Sequence, residues 1–600
     1  MKQYRKIGRP EQRGVALVAA LMAAFVAATM IAVLMTLSQA SNRRADVDRY
    51  KAQARYAAEG AVEAAKKDLQ EAIANWRPVP AEGSVVLDGQ NVSYTVVPTG
   101  LDQAQEDGAG IQTLVTGFEV LATGSSQFAT AQVHRILNAR ATPIFQFAVF
   151  YTDDLEIFPG PSMTLGGRVH ANGDLYVGCG GTLTVDTNYM RAVGGIYRER
   201  KDRPGVSGGT VKVRKWVENP YDPAEPLSFF KMYSKGQMDS LGVSTVSGYD
   251  SHFTDGLDLN GDGDFYDTDE WMPWAPGALD FWGPPTGYSG GTGNTVMSED
   301  HGVGEAVVPQ IGSIAMYEER EGGSFIYDSS TDEYLEVAAG SGTHDPGFFH
   351  AKADLVVITK DDGSWDAFDA DGFSVKGALA GVVTQDDMYD ARQADGSGDR
   401  TPITQIDVAA LNASGVFPTN GLLYTSHHGM GEGTDAKGVV LTNGSELAAP
   451  LTVVTEGALY VHGDYNTVNK KGSSVIGDAV NLLSNAWDGS KSPGNLPVAS
   501  DTTFNVAIVT GNHETHVNDY NGGLENLPRF HESWSNKKCN IVGSFVNTWF
   551  SQYATAKWRY GGDRYKAPKR NWSYDTAFNT VANLPPYTPM AVSAEDIVTW

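Results

Sequence analysis

The sequence predicts an α+β, mainly β protein. A long N-terminal transmembrane helix packs on a small antiparallel sheet, and a large β-solenoid body, a β-helix or β-roll with insertions, follows. Three observations lead there. Val15 to Leu37 contains no charged residue. A helical spacing of apolar residues then continues with no proline until Pro78. The rest of the chain reads as short alternating runs broken by Gly, Asn and Asp, the pattern of strands joined by tight turns.

The elements follow in order. Lys2, Arg5, Lys6, Arg9 and Arg13 all precede the apolar run. At a rise of ~1.5 Å per residue, Val15 to Leu37 is long enough to cross the ~30 Å hydrocarbon layer. The basic flank places the N-terminus in the cytoplasm and the rest outside the inner membrane. A secretory signal peptide would have a shorter apolar core and a small-residue cleavage site ahead of a break. No break follows here. From Val47, apolar residues recur at Tyr50, Ala54, Ala57, Ala61, Ala65, Leu69, Ile73 and Trp76, while Asp46, Asp48, Arg49, Glu63, Lys66, Lys67 and Asp68 lie off that stripe. Steps of three and four make one apolar face, so a helix from Val15 to Trp76 would be ~90 Å long.

Between 84 and 141, SVVLDG, NVSYTVVPTG, GFEVLATG and FATAQVHRIL alternate as antiparallel strands, on which the helix stripe would pack. This closes a first domain, 38–143, near Thr142-Pro143. From 144 to 600 the strands shorten. RVHANGDLYV, GVVLTNGSEL and ALYVHGDYNTV each set an Asn-Gly or Gly-Asp turn into a β run, with no strict period. Stacked short strands with turns that need φ > 0 suit a parallel β-helix or β-roll, and a β-sandwich is the alternative. Leu165-Gly166-Gly167 and Gly178 to Gly181 fall at expected corners. A Gly-, Asp- and Trp-rich insertion occupies about 200–345.

Six hundred residues exceed one compact core. The net charge of −27 argues against nucleic acid, or anionic lipid, as a partner of the bulk of the chain. Cys179 and Cys539 cannot build a disulfide framework, and they pair only if the fold brings their Cα atoms within ~7 Å.

The basic leader ending in Arg13-Gly14, the apolar VALVAALMAAF and the long amphipathic continuation resemble type IV pilins and pseudopilins, most of all PilX-type minor pilins and GspK-type pseudopilins. The resemblance implies a 1–14 leader cleaved after Gly14 by a prepilin peptidase, methylation of the new Val15 amine, and other pilins as partners through the helix. Major pilins carry Glu at the fifth mature position, where this chain has Ala19. A buried amine needs a counter-charge, so the absence of that Glu fits a filament tip or a priming position. An uncleaved single-span anchor is the plainer alternative. FNVAIVTGN, YNGGLENLPRFHESW, NIVGSFVNTWFSQYAT and YKAPKRNWSYDTAF resemble the end of β-helical bodies in pilus-assembly-like proteins, which implies strands plus a short helix around Glu525 to Glu532. Trp534, Trp549, Trp558 and Trp572 read as packing residues.

For chemistry, DLNGDGDFYDTDE is the sharpest motif. Asp258, Asn260 and Asp262 fall at the first, third and fifth positions of a calcium loop, and Gly263 takes the turn position. Asp264 offers a backbone carbonyl and Asp269 takes the twelfth position. Asp269 is shorter than the usual Glu and no helices flank the loop. It therefore resembles a dockerin-like or thrombospondin-like loop, with structural calcium as the expected cofactor. DDGSWDAFDADG (361–372) and DGSGD (395–399) gather carboxylates at no known spacing. His427-His428 reads as a loop. HETH (513–516) spaces its histidines three apart, whereas a zinc protease needs four on a helix. No nucleophile elbow, phosphate loop or dinucleotide fingerprint is present. The reading is therefore non-enzymatic: a filament component presenting an adhesive or scaffolding body to a surface or host ligand. A membrane-anchored carbohydrate-active β-helix and a non-filament surface protein are the rivals.

Overall fold

A computed structural model describes residues 12–87, 90–100, 102–106, 110–214 apart from 188, 205 and 207, 303–319, 344–391 apart from 361, 400–427, 437–555 apart from 522, and 564–599, with short strands at 229–232, 257–258, 296–297, 324–328 and 333–337.

One helix, α1, runs unbroken over Gln12–Ala74. Its second half buries Ala54, Ala58, Ala61, Val62, Ala65 and Leu69 on a sheet of β1 (Glu82–Leu87), β2 (Gln90–Pro98), β3 (Gln103–Glu106), β4 (Gln112–Ser125) and β5 (Thr130–Pro143). The facing sheet residues are Val92, Tyr94, Val96, Phe118, Val120, Ala122, Val133, Leu137 and Ala139. Alternation along β2 and β4 places these on one side of the pleat. Each buried Val or Leu contributes ~1.5–3 kcal/mol. The small residues of the helix stripe bring its backbone close to the sheet. At Gly124 an added Cβ would collide with the Ala54 carbonyl and the Ala58 nitrogen, so only glycine fits there. Tyr94 donates to Asp68 across this interface. The helix ends at Ala74, and Trp76, with φ of 51°, turns its ring onto Phe348 at a centroid separation of 3.8 Å. The last residue of the apolar stripe thus joins helix to body.

The sheet departs from the expected boundary at 143. Its order is β1-β2-β4-β5 and then the last strand, Met590–Thr599, with β3 beside β4. That strand pairs antiparallel with β5, Val592 opposite Ala141 and Met590 opposite Pro143. The sheet is therefore built from two distant parts of the chain. The outer flank of β5 carries a free row of N–H and C=O groups, and MAVSAEDIVT satisfies them.

The body consists largely of parallel ladders. One sheet runs, in spatial order, through strands at 296–297, 190–192, 169–171, 149–151, 545–547, 507–510, 473–477, 451–454, 422–427 and 355–359, every neighbour parallel, and ends on the antiparallel 365–369. A second carries 400–407, 438–442, 458–462, 479–483 and 529–530 in parallel, capped by antiparallel 383–389. A third stacks 502–505, 538–543 and 569–574. Between them lies one continuous apolar core, including Val149, Val169, Leu423, Val453, Val475, Ile508 and Phe545. The chain enters this stack in its middle. Strand 149–151 pairs with 169–171 on one side and 545–547 on the other.

The expected turns are in place. Asn443 and Gly463 follow their strands with φ of 54° and 78°, and Gly167 turns a corner at φ of 91°. The short helix expected around Glu525 to Glu532 is replaced by a 3-10 turn, Leu524–Asn526, and a strand, Arg529–Phe530. Arg529 and His531 must both reach buried partners here, and the strand allows that. Cys179 and Cys539 are both buried and unpaired. The Cys179 thiol donates to the Pro161 carbonyl at 3.4 Å, and burial pushes the Cys539 thiol well above its usual range. Trp534, Trp549 and Trp572 are buried in the body, as packing residues would be, and Trp558 lies outside the described residues.

Candidate functional site: the exposed apolar helix

Among the described residues, nothing covers the first half of α1 from Val15 onward. Val15 is 70% exposed, Phe25 is 70%, and Leu17, Leu21, Met22, Ile31, Leu34 and Leu37 are all exposed as well. Single exposed apolar residues are ordinary, but an unbroken apolar cylinder of this size needs a covering medium. Its chemistry suits one without water. Thr29 donates to the Phe25 and Val26 carbonyls at 3.0 and 2.9 Å, and Thr36 donates to the Ala32 carbonyl. The polar side chains of the segment are thus satisfied within the helix, as a lipid or helix-bundle setting requires. The first carboxylate after Gly14 is Asp46. Gly14 and Val15 both lie inside α1, so the predicted processing position is helical, and Val15 is exposed.

Among the predicted metal ligands, Asp258 ends the two-residue strand Leu257–Asp258, opposite Lys231. Asn260, Asp262, Asp264 and Asp269 lie outside the described residues, as does DGSGD. In DDGSWDAFDADG, Asp366 is paired with Lys360 at 2.9 Å and Lys376 at 3.2 Å, and Asp369 accepts the backbone N–H groups of Asp371 and Phe373. Lysines and backbone donors neutralise that cluster. His427 is not in a loop: it ends the strand Leu422–His427, buried, within reach of Thr404 Oγ1 at 3.1 Å and the Gly438 carbonyl at 3.0 Å, and His428 lies outside the described residues. HETH is an irregular loop, with His513 Nε2 3.2 Å from the Ala554 carbonyl and His516 3.8 Å from Glu514. Among the described residues, no three His, Cys, Asp or Glu side chains are placed to hold a metal.

Sequence reasoning missed three buried polar constellations, because each joins residues far apart along the chain. Asp478 is fully buried and accepts the N–H groups of Gln552, Tyr553 and Ala554. Arg529 binds the Ala554 carbonyl at 2.9 Å and Ser551 Oγ at 3.0 Å. Together they hold the 551–554 turn. His531 lies 3.5 Å from Asp390 and 2.8 Å from Asn481 Oδ1, and Lys491 donates to the Arg564 carbonyl at 2.8 Å. All of these side chains except Arg564 are at least nine-tenths buried, so the group ties distant segments of the body together. The third constellation surrounds Glu156, on the outer face of the strand Leu155–Ile157. Burial pushes its carboxyl up to about 8. Glu525 and Asp202 add to this, and Arg200 and the Lys201 N–H oppose it.

The fold and this surface define a β-rich protein carried on one long N-terminal helix whose first half is apolar and exposed. No family model matches the chain, and no curated protein matches it. Among solved structures, the competence-associated pilin ComZ from Thermus thermophilus aligns over 92% of this chain and 97% of its own, at 10% identity and a TM-score of 0.25.

Proposed function

We propose that the chain is a minor pilin or pseudopilin-like subunit of a type IV pilus-type filament, at its tip or in its priming complex. One observation carries this reading: a single unbroken helix whose exposed apolar half is continuous with a half docked on an antiparallel sheet. The apolar half is held by the inner membrane until it enters a bundle of like helices. The basic residues ahead of it keep the N-terminus in the cytoplasm. The parallel ladders support a β-solenoid body, too bulky to repeat along a tight filament and suited to adhesion or scaffolding. The expected result is an N-terminal peptide from the native membrane or filament fraction that begins at N-methylated Val15. A peptide that retains Met1 would leave an ordinary anchor and remove the assembly reading.

The 258–269 loop is read as a structural calcium site, with Asp258, Asn260, Asp262 and Asp269 as side-chain ligands and Asp264 through its carbonyl. Six carboxylates within thirteen residues repel one another unless a cation is shared. Calcium is expected to protect this segment from proteolysis, and Asp262→Asn to weaken that protection by about tenfold in calcium concentration. Equal cleavage of both proteins at every calcium level would reject the site.

A further inference from the structure

Seven non-glycine residues among those described have φ in the left-handed region. Five are Asn, which tolerates it. The other two are Trp76 and Tyr587, with φ of 51° and 54°. For bulky side chains this is strained backbone, held in place by its surroundings. Both pack on one ring, that of Phe348, at centroid separations of 3.8 and 6.2 Å. Tyr587 lies in Leu584-Pro585-Pro586-Tyr587-Thr588-Pro589, the segment that carries the chain from the body to its last strand. Its three prolines stiffen that segment. A short connection under strain, leading to a strand near the chain end, is the arrangement from which identical elements are exchanged between copies.

The last strand is lightly held. Between Met590 and Ile597 only Ala591 and Val592 are buried, and Ile597 is 53% exposed. The strand is otherwise attached by its ladder with β5, one backbone bridge to Val307, and polar contacts. Arg135 on β5 donates to Asp596 at 2.8 Å and to Glu63 of α1 at 3.0 Å. Lys66 lies 4.0 Å from Asp596, Arg140 lies 3.9 Å from Glu595, and Gln70 donates to the Val592 carbonyl at 3.3 Å. The β5 edge thus fits a strand with two small apolar residues followed, two positions on, by two acids. Nothing in these contacts depends on which copy supplies it.

We propose that β5 of one copy accepts the 590–599 strand of a second copy, so that molecules are joined by exchange of their last strands. The occupant is set by complementarity. The open row of N–H and C=O groups on β5 takes a strand, and Lys66, Arg135 and Arg140 take acids at the places of Glu595 and Asp596. Copies held side by side in a membrane would meet at a high effective concentration, which favours exchange. The inference stands apart from the filament reading, and its test uses no filament.

Ser593 is directly opposite Arg140, and both are partly exposed. Such pairs are within disulfide reach, and Cys179 and Cys539 are buried and do not compete. Two full-length proteins in detergent, one Arg140→Cys and the other Ser593→Cys, are given different affinity tags, mixed and oxidised. A disulfide-linked heterodimer is expected. Both substitutions in one chain are expected to give the same disulfide internally, which checks that they leave the pairing intact. Asp596→Lys separates exchange from collision. In the Ser593→Cys copy it weakens the incoming strand and is expected to lower the heterodimer yield about threefold or more. In the Arg140→Cys copy it loosens the resident strand and is expected to raise the yield by a similar factor. Absence of the heterodimer beside a complete internal disulfide would overturn the proposal. So would an effect of Asp596→Lys that is absent or of the same sign in both copies. Failure of the internal disulfide would overturn it as well, by removing the pairing on which it rests.

Discussion

Replacing Asp478 with alanine is expected to destabilise the body by about 3–5 kcal/mol, the cost of removing one side of a buried charge pairing. Asp478 is completely buried, and it is the acceptor for three successive backbone N–H groups at 552–554. Without it those donors have no acceptor, and the Arg529 guanidinium loses the larger of the two carboxylate fields, from Asp478 and Asp390, that offset its own burial. Asp478→Asn retains one acceptor oxygen and is expected to cost less. Trp549 precedes the turn and is buried, so its fluorescence reports on this region. Urea titration of the two variants should give midpoints in the order parent, Asn, Ala. Equal midpoints for parent and Ala would mean that the turn does not depend on this carboxylate.

The second large effect is a pH dependence centred on Glu156. Its folded-state pKa of about 8 lies above the ordinary glutamate value of 4.5, so the folded protein holds a proton that the unfolded chain has released. The stability this contributes is fully present below pH 4.5 and is lost as pH rises through 8. The loss runs at ~1.4 kcal/mol per pH unit within that window and totals a few kcal/mol. Glu156→Gln keeps the shape and cannot ionise. It is therefore expected to be close to the parent at pH 5 and more stable than the parent at pH 9. Other buried acids titrate in both proteins, so the informative quantity is the difference between them. A difference that stays constant from pH 5 to 9 would show that Glu156 is not held protonated.

Local pattern made the helix and the first sheet readable. Ala54, Ala61, Ala65 and Leu69 keep helical spacing and are all buried, and Val92, Tyr94 and Val96 alternate as a half-buried strand must. Asn443 and Gly463 were legible as turn residues because few other residues adopt φ > 0 at low cost. The order of the body strands was not legible. A three-residue strand such as 149–151 carries no sign that one neighbour is 169–171 and the other 545–547, since parallel pairing is decided by the closure of the whole stack. The last strand alternates like any other, and nothing in MAVSAEDIVT says that it belongs beside β5. Glu156 failed to stand out for the same reason. In DDLEIF it reads as one surface acid among several, and its burial comes from the Leu524–Asn526 turn and the loop before it, hundreds of residues downstream.

That last strand also sets an order of events during synthesis. The helix and β1 to β5 leave the ribosome first, yet β5 keeps an open edge until residues 590–599 arrive. At ~5–20 residues per second the wait lasts tens of seconds. Through that time the helix is already made while its docking sheet is unfinished. The strand that completes the sheet comes after the parallel ladders of the body, and so a finished sheet reports that those ladders have been made.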